Sequence, residues 1–84
     1  MPVSIQDAAA LGKAVRAARK ALGLTQPQLA LAAGVGVRFI VELEAGKPSV
    51  RFETMLRVVQ ALGGGLIIDG LPAGEAKTEP GAQP

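Results

Sequence analysis

Few side chains in this sequence could do chemistry, and their types narrow the choice. No His or Cys occurs among the 84 residues, which removes the commonest general base and metal ligand together with thiolate nucleophiles and disulfides. The carboxylates nearest in sequence, Glu42 and Glu44, are two residues apart on a predicted helix, so the side chains diverge and cannot face one reacting atom. No nucleophile has a base at workable spacing. The inventory argues against an enzyme, a metal site or a cofactor. What remains is donor chemistry: Gln26, Gln28, Arg38, Lys47 and Arg51 offer the amide, guanidinium and ammonium groups that meet phosphates and base edges. A net charge of +2 biases the chain weakly toward anionic partners.

These donors must be positioned by short helices. Leu11, Val15, Ala18 and Leu22 recur at helical spacing and predict a first helix, capped by Asp7 or Ser4 and closed by Gly23. Lys13, Arg16 and Lys20 fall opposite that stripe as a solvated face, whereas Arg19 lies near its edge, where an internal ion pair is expected. Thr25 and Gln28 have the spacing of a capping box and Pro27 suits a first turn, so a second helix runs from there to Ala33, before Gly34. A third helix is predicted over about Val37 to Glu44 with Ile40 and Leu43 inward. A fourth, over about Arg51 to Leu62, carries Phe52, Met55, Leu56, Val59 and Leu62 on one stripe.

Gly63-Gly64-Gly65 ends the helical series, and Leu66, Ile67 and Ile68 predict a short strand over 65–69. Its backbone groups need a partner, either the stub Val3 to Ile5 or, the favoured alternative, the same strand of a second copy. From Gly70 to Pro84 the composition is that of a disordered tail. The tail carries a net −1, which leaves +3 on residues 1–69. The expected fold class is therefore all-α: a compact bundle of four to five short helices over 1–69, with a C-terminal strand that pairs in a dimer. No apolar run approaches the length of about 20 residues needed to span a bilayer, so no membrane partner is expected. The Ala- and Arg-rich first twenty-five residues have the composition of a transit peptide, but their removal would delete the longest helix of a domain near the lower size limit.

Gln26, Ala30, Gly34, Ile40 and Leu43 stand at the first, fifth, ninth, fifteenth and eighteenth places of a twenty-residue unit, the spacing of a helix-turn-helix. Ala30 is small where two helices cross, Gly34 makes the turn, and Val35, Ile40 and Leu43 lock the third helix so that it protrudes. A major groove about 12 Å wide admits such a helix. With Leu22-Gly23-Leu24-Thr25-Gln26 before the unit and Glu42-Leu43-Glu44-Ala45-Gly46-Lys47-Pro48 after it, the chain resembles the lambda-repressor/Cro-like, or XRE-type, family over about residues 7–62. The strand after the fourth helix resembles the HipB-like antitoxins of that family. The resemblance implies a cytoplasmic, nucleoid-associated bacterial repressor. It would act as a homodimer on a palindromic operator, autoregulate a toxin-antitoxin operon and bind a HipA-like kinase toxin. It also implies a structural ion pair between Arg19 and Glu44.

Carried over by position, Gln26 would meet a phosphate, Gln28 would either contact DNA or serve the cap, and Val37, Arg38, Val41 and Glu42 would face the groove, as would Gly36. Arg38 is the one long donor on that face and suits a guanine edge, while Val37 and Val41 suit thymine methyls. Lys47 and Arg51 suit phosphates. The places of Gly36 and Val41 commonly hold a polar residue in the family. This departure opens the alternative of a protein-interaction module, in which Val37, Val41 and Phe39 form an apolar patch for a partner.

Overall fold

The computed structural model describes residues 2–72, and the path of the chain follows its capping chemistry. The Asp7 carboxylate accepts from the Ala10 amide at 2.8 Å and starts α1, Ala8–Ala21, satisfying one of the donors a helix N-terminus leaves without a partner. Gly23, at φ 73°, turns the chain out of it. In α2, Gln26–Ala33, the capping box is complete: the Gln28 amide donates to Thr25 Oγ1 at 3.1 Å and the Thr25 amide to Gln28 Oε1 at 2.8 Å. Gly34 closes α2 in the left-handed region at φ 71°, a conformation costly for a side chain bearing Cβ. Two helices follow, α3 (Val37–Glu44) and α4 (Phe52–Ala61).

The core is Val15 of α1, Leu29 and Ala30 of α2, Ile40 and Leu43 of α3, and Met55 and Val58 of α4. α2 packs on both α3 and α4, while α1 closes the assembly by crossing α3. That crossing is tight because Gly12 lies there. A Cβ on Gly12 would stand 2.5 Å from the Leu43 carbonyl oxygen and 2.7 Å from that of Glu44. No described helix is long and apolar enough to cross a membrane.

Three expectations require correction. The strand over 65–69 is not formed: residues 64–69 have no regular secondary structure, and Leu66, Ile67 and Ile68 are exposed, Ile67 to 84%. A strand requires a neighbouring edge for its ladder, and the Val3 to Ile5 stub, also without regular structure, does not supply one. Phe52 is 61% exposed, and the buried residue of α4 that the predicted stripe omits is Val58. At about 100° per residue, Phe52 stands about 90° from the mean direction of Met55 and Val58, which set the face toward the core. Leu22 is the C-cap of α1 and exposed, since the chain leaves the helix there. The tail expected over 70–84 lies, apart from residues 70–72, outside the described residues.

Candidate nucleic-acid interface

The turn between α2 and α3 is held by backbone bonds from Gly34 to the Leu31 carbonyl at 3.2 Å and from Val35 to the Ala30 carbonyl at 3.0 Å. Val35 packs on the core, which fixes the direction in which α3 leaves the turn. Ile40 and Leu43 bury one side of α3, so its other side must face solvent. Val37, Val41, Arg38 and Glu42 occupy an arc of about 140° on that outer side. Both valines and Arg38 are exposed. Phe39 falls elsewhere on the helix, half-buried against the core, so the apolar patch expected to include it is reduced to the two valines.

Behind α3, one carboxylate ties three helices together. Arg19 of α1 donates through Nε to Glu44 Oε2 at 2.7 Å and through Nη2 to Glu44 Oε1 at 3.0 Å, and its Nη1 donates to the Leu24 carbonyl at 2.8 Å. The side chains of Arg19 and Glu44 are only 9% and 3% exposed. The fork geometry gives arginine two parallel bonds to one carboxylate, among the stronger hydrogen-bonded arrangements in proteins. Burial pushes the Glu44 carboxyl upward, but bonds from Arg19 and Gln26 and the charges of Arg19 and Arg16 outweigh it and hold the group below its ordinary range. The hydrogen bond to Glu44 raises Arg19, burial opposes this, and the Glu44 charge adds to the rise.

Gln26 is drawn inward. Its Nε2 donates to Glu44 Oε1 at 3.1 Å and the side chain is half-buried, so the residue expected at a phosphate is also a member of the ion-pair network. Gln28 serves the capping box through its carbonyl oxygen, one of the two roles open to it from the sequence, and remains exposed.

The outer charges are also linked. Glu42 accepts from Arg38 Nε at 3.3 Å and from Lys47 Nζ at 3.3 Å. Those two hydrogen bonds, against a small opposing effect of burial, hold the Glu42 carboxyl below its ordinary range, and the Lys47 and Arg38 charges add to the lowering. Lys47 comes back toward α3 because Gly46 turns the chain at φ 85° and the Lys47 amide donates to the Glu42 carbonyl at 3.1 Å. Arg51 precedes α4 as its N-cap. It lines an open cleft with Phe52, Glu53, Thr54 and Arg57, which adds a second arginine to that end of the molecule. Arg57 is absent from the sequence-based site because its place on α4 marks it only as outside the apolar stripe.

This arrangement coincides with a known pattern. The helix-turn-helix family matches residues 15–67, from within α1 to beyond α4. The chain belongs to this family. A Sinorhizobium fredii (strain NBRC 101917 / NGR234) protein described as the uncharacterized HTH-type transcriptional regulator y4mF is 47% identical over 77 residues, covering 92% of this chain and 99% of that protein. The XRE-type resemblance stands on both matches. Within the helix-turn-helix, α2 and α3 are the two helices joined by the Gly34 turn.

Proposed function

We propose that this helix-turn-helix protein is a sequence-specific DNA-binding transcriptional repressor, with α3 entering the major groove. The observation that carries the reading is the division of α3: Ile40 and Leu43 are buried, whereas Val37, Arg38 and Val41 are exposed on the opposite side. Arg38 is suited to O6 and N7 of a guanine, and the valines are suited to thymine methyls. Gln28 in the first turn of α2, Lys47 beyond the end of α3 and Arg51 at the N-cap of α4 would provide phosphate donors. Gln26 adds one if its second amide hydrogen turns outward.

In the fuller reading the repressor is a homodimer on a palindromic operator and the HipB-like antitoxin of a toxin-antitoxin operon, neutralising a HipA-like kinase. The exposed apolar run Leu66, Ile67 and Ile68 supports the dimer, since contact with a second copy would cover it. The antitoxin role is supported by the resemblance of the sequence after α4. A kinase-like reading frame beside the gene would strengthen that part, and its absence would leave a plain repressor.

Fluorescence anisotropy on DNA from upstream of the protein's own gene tests the central claim. The wild-type protein should bind that DNA far more tightly than random duplex. Arg38→Ala should lower the ratio by about tenfold to a hundredfold, the range of one bidentate base contact. An equal loss on all DNA would assign Arg38 to the phosphate backbone. Failure of the wild-type protein to distinguish the two DNAs at moderate salt would favour a protein-interaction module using Val37 and Val41.

A further inference from the structure

Glu42 presents an acid on the surface that the proposed function lays against DNA, where each phosphate would repel it. Its carboxylate bridges two cations of that surface: Oε2 accepts from Arg38 Nε and Oε1 from Lys47 Nζ, each at 3.3 Å. We propose that Glu42 is a positioning residue for base recognition, holding Arg38 by its Nε edge so that the terminal Nη1/Nη2 fork points outward to a guanine and away from neighbouring phosphates. The inference rests on the reading of α3 as a base-contacting helix and names what sets its selectivity.

The geometry carries it in three steps. Arg38 has 89% of its side chain exposed, and a long arginine with no tether would reach phosphates in many orientations. The single tether uses Nε, so both Nη groups keep all four of their hydrogens for a partner. Glu42 stands one turn after Arg38, and Lys47 returns to the same carboxylate from beyond the Gly46 turn. The carboxylate is therefore contacted from both sides, by a cation of its own helix and by one from beyond the turn. In the free protein an exposed i,i+4 pair of this kind changes an equilibrium by only about twofold. Once docking excludes water, the effective dielectric falls and the same pair strengthens. The effect therefore appears in the DNA complex and scarcely in the stability of the fold. One negative charge among the cations also weakens attachment to any duplex, so Glu42 exchanges affinity for discrimination.

Glu42→Gln keeps the length and removes the charge. The probes are short duplexes enriched from a random library by the wild-type protein and duplexes of random sequence, measured by anisotropy over a series of KCl concentrations. The variant should bind random duplex about three- to tenfold more tightly, with a salt slope steeper by about 1 per protomer. Preference at one base pair of the enriched site should fall by about threefold or more, with the thermal midpoint essentially unchanged. Combined with Arg38→Ala, the same substitution should raise affinity uniformly and leave base preference untouched, as required of a residue that acts through Arg38. Unchanged base preference in Glu42→Gln overturns the inference and leaves the repressor reading intact, as does relaxation of equal size in the Arg38→Ala background. A wild-type protein that enriches no sequence removes both.

Discussion

With its side chain only 3% exposed, Glu44 is a charge that would be costly alone, and it is matched by donors from α1 and α2. Removing one member of a buried pair strands the other, at about 3–5 kcal/mol. Glu44→Gln should therefore lower the thermal midpoint at neutral pH by on the order of 15 °C. The pH dependence has a definite sign. The folded-state pKa of Glu44 is lowered, so its stabilisation is fully present above the ordinary carboxylate value of about 4.3 and is lost as pH falls through the lower folded value. Melts of both proteins should accordingly be separated most at neutral pH and converge on acidification. A gap of constant size down to pH 3 would mean that the charge of Glu44 is not what stabilises. The sequence already placed Arg19 at the core boundary, and the family resemblance paired it with Glu44. The inward turn of Gln26 was not legible, because its amide can donate equally to a phosphate or a buried carboxylate. The bridge through Glu42 depends on the Gly46 turn, which brings Lys47 back by an amount spacing does not convey.

Among the elements, helix boundaries were the most legible part of the fold, since the Thr25 and Gln28 box and Gly34 are local chemistry that acts whatever lies around it. The facing of α4 was less so. Its apolar residues cover more than one side, and the tertiary packing, α2 foremost, decides that Val58 and not Phe52 is buried. The Arg19 and Glu44 pair already implied that α1 meets α3, but the close approach at Gly12 was not legible, because a glycine within a helix carries no sign of what approaches it. Gly12→Ala tests that crossing. Alanine favours a helix by about 1 kcal/mol over glycine, yet the added carbon would meet two backbone oxygens at 2.5 and 2.7 Å, which cannot yield without moving α3. The expected outcome is a net loss of about 1–3 kcal/mol in chemical denaturation. A gain in stability would show that the helices separate freely.

For the whole molecule, the described core closes at Leu62, and the exposed apolar residues Leu66, Ile67, Ile68 and Leu71 follow it. No described core residue is lost if residues 64–71 are removed, so helix content should persist. On the proposed dimer, sedimentation should then report a monomer where the full chain gives a dimer. Operator affinity should fall by on the order of a hundredfold, because the second half-site would no longer be bound at high local concentration. An unchanged dimer would place the interface elsewhere.

The division of α3 also bears on how such a protein can diverge. Ile40 and Leu43 anchor the helix from beneath, and Glu44 fastens its end to α1, while Val37, Arg38 and Val41 are spread over the outer side. Substitutions at those three positions leave the interior undisturbed, so variation there is nearly neutral for folding. A lineage of copies can therefore drift to new DNA targets without passing through unstable intermediates.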